Sequence, residues 1–232
     1  MKRYDFGIDG IEGKIGGGTN ILLIGPPLSG KDVLAKRFFY QAAKEDGASI
    51  YVSTTDSAKN LIEWFEKKDL DLSENPGSFG IIDCVTKSQD LEKPEDESCV
   101  KYASSPVDLT DIGVKISNFL KEFYMEGDKE KVRLIVDTVS VMIMYSNVKT
   151  IFRFLHTFSG RMKSIDGVGL YVLEEGSHEE KTIKTLKQLM DASLRTEDTE
   201  NGKQIKYDGK QFKFDWKNYQ VEDDNIILEN SD

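Results

Sequence analysis

The 232 residues carry 41 acidic against 31 basic side chains, a net charge of -10, and 38% of them are hydrophobic, which suffices for one sizeable core. The acidic balance argues against a nucleic-acid binder, because such proteins draw most of their non-specific affinity from neutralising phosphates. The start MKRYDFGIDG lacks an apolar leader core, no apolar run approaches a membrane span, and Cys84, Cys99, His156 and His178 form no disulfide framework or zinc spacing, so a soluble cytoplasmic protein with free thiols is expected.

Residues 1–18 lead through Gly16-Gly17-Gly18, read as flexible, into the apolar run Ile21-Leu22-Leu23-Ile24. Gly25-Pro26-Pro27-Leu28-Ser29-Gly30-Lys31 follows, and then a helical pattern of Val33, Leu34, Phe38, Phe39, Ala42 and Ala43 closed by Gly47 as C-cap. This is strand, glycine-rich loop, helix. Ser49 to Thr54 reads as a second strand, Ala58, Leu61, Ile62 and Phe65 as a helix capped by Ser57, and Phe79 to Val85 as a third strand. Residues 86–108, polar and acidic with Pro94 and Pro106, predict a long surface loop.

Leu109, Ile112, Ile116, Phe119, Leu120 and Phe123 form one helical stripe that starts near Asp108 or Thr110 and runs to Gly127. Val132 to Val136, closed by Asp137, suits a strand buried on both faces. A helix carrying Val148, Ile151, Phe152, Leu155, Phe158 and Met162, a strand from Val168 to Leu173, and a helix around Ile183, Leu186, Leu189 and Met190 complete the alternation. Such alternation implies a parallel sheet flanked by helices. Residues 192–230 change character: Phe212, Phe214 and Trp216 alternate with Lys213 and Asp215 beside an Asp208-Gly209 turn, predicting two to four antiparallel strands at the sheet edge. The whole chain, 1–232, is expected to be one α/β domain.

A phosphate-binding loop needs glycines where backbone N–H groups face an anion, a lysine for the outer phosphates and a helix N-terminus behind. Gly25, Gly30 and Lys31 meet those needs, and the nucleotide-binding set is Gly25, Pro26, Pro27, Leu28, Ser29, Gly30, Lys31, Asp32 and Val33. Asp32 stands where the pattern asks for a Mg²⁺-ligating hydroxyl. It could hold the metal, repel a phosphate, or only complement the helix dipole. Asp137, at a strand end, is placed as a Mg²⁺-holding acid. Asp56, Glu174 and Glu175 lie just past strands, where ligands gather in open α/β sheets, although each could equally be a solvated loop acid.

Together, Gly25 to Lys31, Ile50-Tyr-Val-Ser-Thr-Thr-Asp56-Ser, Val132-Arg-Leu-Ile-Val-Asp137-Thr-Val-Ser140 and Leu189-Met-Asp191-Ala resemble the KaiC/RadA/Rad55-like branch of the RecA superfamily, including its single-domain archaeal members, over nearly the whole chain. The resemblance implies a RecA-like P-loop fold, ATP or ADP with Mg²⁺ between subunits of an oligomer, and roles in recombination, clock timing, motility or signalling. It puts the family's paired catalytic glutamates on Thr55 and Asp56 and its γ-phosphate-sensing glutamine on Glu175. The family's Lys-x-Arg element has no counterpart around Gln204 to Trp216. The expectation is a degenerate, regulatory member that binds nucleotide weakly or not at all and needs a protein partner. Two alternatives stand beside it: an active recombination-type ATPase with Asp56 as base, acting with DNA, and an interaction protein whose anion site is filled electrostatically by Asp32.

Overall fold

The computed structural model describes residues 2–8, 15–75, 77–89, 94–200, 202–223 and 225–229. A ten-stranded sheet organises them. Its parallel part runs in the order β6 (Val100–Tyr102), β5 (Phe79–Asp83), β4 (Ala48–Ser53), β7 (Val132–Val136), β8 (Val168–Glu174), β3 (Asn20–Gly25) and β9 (Ala192–Thr199). Three antiparallel strands, β10 (Gly202–Gly209), β11 (Lys213–Glu222) and β12 (Asn225–Leu228), extend it beyond β9. Every residue of β3, β4, β5 and β7 is buried, as expected for parallel strands covered on both faces.

One face lies under α1 (Lys31–Lys44) and α2 (Ala58–Glu66), where Phe38, Phe39, Phe65 and Phe79 meet Ile21 and Leu23. The other lies under α3 (Leu109–Leu120), α4 (Val139–Tyr145), α5 (Val148–Ser164) and α6 (Glu180–Lys187), with Leu22, Ile24, Leu134 and Val136 facing Ile116, Phe119, Leu155 and Phe158. Helix starts are fixed by side-chain caps: Ser57 accepts from the Asn60 N–H, Asp108 from the Asp111 N–H and Asn147 from the Thr150 N–H. No helix among the described residues is long and apolar enough to cross a membrane. Both cysteines are free, Cys84 buried and Cys99 exposed.

Several elements differ from the sequence expectation. The N-terminal glycines are not a flexible lead-in: Ile15–Gly16 (β2) pairs antiparallel with Arg3–Tyr4 (β1), and the Gly17 N–H donates to the Lys2 carbonyl at 2.9 Å. Gly17 is small because a Cβ there would stand 2.5 Å from the Asp166 carbonyl. The segment 86–108 is not all loop, since a short 3₁₀ turn spans Lys87–Gln89 and β6 adds a parallel edge strand to β5; residues 90–93 lie outside the described ones. Gly47 is not the left-handed cap of α1; Asp46 takes that conformation (φ 50°), and Gly47 is required because a Cβ would approach the Lys131 carbonyl to 2.8 Å. The stripe helix ends at Leu120 and passes into a wider π turn, Lys121–Met125, before Gly127. Helix α4, capped by Thr138, was not expected at all, and β9, counted with the C-terminal extension, pairs parallel with β3 as part of the central sheet.

Candidate phosphate-loop site

The glycine-rich loop sits between β3 and α1, at the carboxyl ends of the parallel strands. Leu28 at its tip is 90% exposed with φ 59°, a conformation costly for a residue with a branched side chain, and Gly30 has φ 82°. The loop is held from outside by the C-terminal strands. Ser29 is buried; the Thr196 hydroxyl donates to its Oγ at 2.9 Å, and the Tyr219 hydroxyl donates to its carbonyl. Lys203 Nζ donates to the Leu28 carbonyl at 2.7 Å. The approach is close enough to exclude side chains: a Cβ on Gly30 would lie 2.7 Å from Val221 Cγ2, and one on Gly25 only 1.8 Å from Thr196 Oγ1.

Lys31, the cation that the loop offers, is already engaged. Its ammonium donates to the Pro26 carbonyl at 2.9 Å and pairs with Glu174 Oε2 at 2.9 Å, the two side chains being 11% and 26% exposed. Parallel pairing of β3 with β8 sets Gly25 beside Glu174, and the Glu174 N–H is anchored on Ser140 Oγ of α4 at 2.9 Å. A carboxylate of the chain itself therefore occupies the lysine that a phosphate would need.

Asp137 follows β7 and is surrounded by donors from the end of β4. Thr54 donates through its N–H (3.0 Å) and hydroxyl (2.6 Å) to Oδ1, and Thr55 Oγ1 lies 3.1 Å from Oδ2. Burial pushes its carboxyl above the usual range, and the Thr54 and Thr55 hydrogen bonds pull it back. A carboxylate offers about four acceptor positions, and these contacts use most of them. Burial pushes the Tyr51 phenol far up, with Asp137, Asp32 and Asp56 adding to the effect, so three carboxylates share this side of the loop. Lys36 Nζ, 4.0 Å from Asp56 Oδ2, packs over the Trp64 ring.

The expected site residues thus fall into two groups. Asp32, Asp56 and Asp137 gather near the start of α1, with Asp32 exposed. Glu175 instead turns to Arg195 on β9, with 3.1 Å between carboxylate and guanidinium. The residue that fills the anion position is Glu174 rather than Asp32. Thr54, Thr196 and Tyr219 carry no recognisable signal in sequence, and Glu174 shares its strand-end position with Glu175; strand pairing across the sheet is what brings them to the loop and to Asp137. Among the described residues no group of three or more His, Cys, Asp or Glu side chains is disposed to hold a metal ion. A Mg-nucleotide does not fit this arrangement as it stands: its phosphates meet Glu174 on Lys31, and its metal meets an Asp137 most of whose acceptor positions are taken by threonines.

Among solved structures, the chain is similar to the crystal structure of a KaiC-like protein from the hyperthermophilic archaeon Pyrococcus horikoshii, with a TM-score of 0.70 over 99% of both chains at 13% identity. At that identity the likeness speaks for a KaiC-like RecA fold. No curated protein matches the chain. Residues 18–196 match a family described only as being of unknown function (DUF7504), so the match takes in the phosphate loop, Asp137 and Glu174 and ends inside β9 at Thr196, before β10 to β12. On that match, the chain is a member of the DUF7504 family, built on a KaiC-like RecA fold.

Proposed function

We propose that this protein is a RecA-fold homologue that does not turn over ATP and works as a regulatory or scaffold protein through binding a protein partner. The Lys31–Glu174 pair carries the reading: the loop lysine is neutralised internally, so an incoming phosphate must displace a carboxylate held by two strands and Ser140. The threonines on Asp137 and the acidic Asp32 support the same reading, since the threonines take up acceptor positions of the acid expected to hold the metal and Asp32 stands where a neutral hydroxyl ligand is asked for. The parent protein is expected to release phosphate from Mg-ATP no faster than its Lys31→Ala variant, and to bind ATP or ADP no tighter than about millimolar, about -4 kcal/mol. Steady-state phosphate release and calorimetric titration measure these. Turnover near 1 per second, ordinary for an enzyme, and abolished by Lys31→Ala, would replace this reading with that of an active ATPase.

A further inference from the structure

A second concave site lies away from the phosphate loop, at the opposite, amino-terminal end of β5. It is a cleft of about 970 Å³ between α2 and the 3₁₀ turn after it on one side, and the π turn after α3 on the other. Its floor is apolar: Ile62, Leu72, Phe79, Ile81 and Phe123, of which Phe79, Ile81 and Phe123 belong to the two cores. Volume and floor match sites that accept apolar groups.

The rim has a different chemistry. Asp46, Glu66, Asp71, Glu122 and Asp128 line it, with Lys129 as the one basic lining side chain among the described residues. Lys129 is committed to Asp46 at 2.7 Å, and Glu122 is met from outside the cleft by Lys101 at 2.8 Å. Glu66 and Asp128, both exposed, have no ion-pair partner among the described residues. The carboxylates come from three separate stretches of chain, around Asp46, from Glu66 to Asp71 and from Glu122 to Asp128. A single small cation cannot answer them all; a chain bearing several cations around an apolar anchor can.

We propose that this cleft is a docking site for a protein segment whose apolar side chains are flanked by lysine or arginine: apolar groups on the Phe79 floor, cations on the Glu66, Asp71 and Asp128 rim. Electrostatic complementarity of this kind sets specificity and association rate, while the apolar floor supplies affinity. The inference does not rest on the state of the phosphate loop.

Cys99 lines the cleft and is exposed, whereas Cys84 is buried, so the reaction of the intact protein with an aromatic disulfide reagent reports on the cleft. The probe is a short lysine/leucine amphipathic peptide, with a glutamate/leucine peptide of the same pattern as control. The lysine peptide is expected to slow Cys99 modification and the glutamate peptide to leave it unchanged. In fluorescence anisotropy, Glu66→Lys with Asp128→Lys should weaken the lysine peptide about tenfold or more, while Glu180→Lys with Glu200→Lys, an equal charge change elsewhere on the surface, should weaken it about twofold or less. Leu72→Ser should weaken it too without altering its salt dependence. Equal loss in both charge variants means adventitious attraction to an acidic protein and overturns the proposal. So does binding that leaves Cys99 reactivity untouched. Concentration-dependent protection of Cys99 without peptide would assign the cleft to a second copy of the chain and likewise overturn it.

Discussion

Glu174→Gln keeps the size of the side chain and removes its charge, so it isolates what that carboxylate does to the loop. Unit charges 2.9 Å apart attract by about 6 kcal/mol at an effective dielectric of 20. Desolvation and partial exposure of the pair offset most of this, leaving a net loss of about 1–2 kcal/mol of stability in the variant. For an incoming nucleotide the sign reverses. A carboxylate about 5 Å from a phosphate charge opposes it by about 3 kcal/mol at the same dielectric, or roughly a hundredfold in dissociation constant. The variant is therefore expected to unfold at lower urea concentration than the parent, to bind ADP roughly ten- to a hundredfold tighter, and to recover stability in ADP more than the parent does. Titration calorimetry and urea unfolding with and without ADP measure all three. Equal ADP affinity in the two proteins would refute the argument that Glu174 occupies the phosphate position, whatever the stability result.

Glu45→Gln leaves the fully buried Arg133 guanidinium, enclosed by the Tyr4 and Phe38 rings, without its carboxylate; a loss of about 3–5 kcal/mol is expected in urea unfolding, and a loss under about 1 kcal/mol would mean that the guanidinium finds another partner. Gly25→Ala puts a methyl 1.8 Å from Thr196 Oγ1, so a cost of at least about 1–3 kcal/mol is expected from forced repacking, with Thr196→Ala recovering part of it in the double variant. Asp108→Ala removes the cap of α3 and should cost about 1 kcal/mol at neutral pH. The Asp111 N–H and the Ser104 hydroxyl hold the Asp108 carboxyl below its ordinary 3.8, so its contribution is fully present above that value and is lost as pH falls through the lower folded one. The gap between parent and variant should accordingly narrow in acid, and a gap independent of pH would point to lost packing instead.

Much of the fold could be read along the chain, because the parallel strands are short apolar runs and the helices carry stripes at helical spacing; Ile21 to Ile24, Val132 to Val136 and the Leu109 to Phe119 stripe are clear examples. What escaped notice is short or set by distant contacts. Helix α4 spans only seven residues, too few for a repeat to show, and β6 is three residues inside a polar stretch. At the site, the loop and Asp137 were legible as local patterns. Glu174 was not distinguishable from its neighbour Glu175: only the pairing of β8 with β3 directs one to Lys31 and leaves the other to Arg195. The alternative in which Asp32 fills the anion position rests on adjacency in sequence, and in the folded chain Asp32 is exposed.

The way the C-terminal strands hold the phosphate loop also bears on the order in which the molecule is finished. Tyr219 and Ser29 are 190 positions apart, and at ribosomal speeds of roughly 5–20 residues per second about 10–40 seconds separate their synthesis. For most of that interval, until β8 (Val168–Glu174) is made, β3 lacks both of its neighbours, β8 and β9, and presents an apolar strand with two open edges. The nascent chain is thus exposed to misassociation around the loop, and the last strands to emerge are the ones that fasten Leu28 and Ser29.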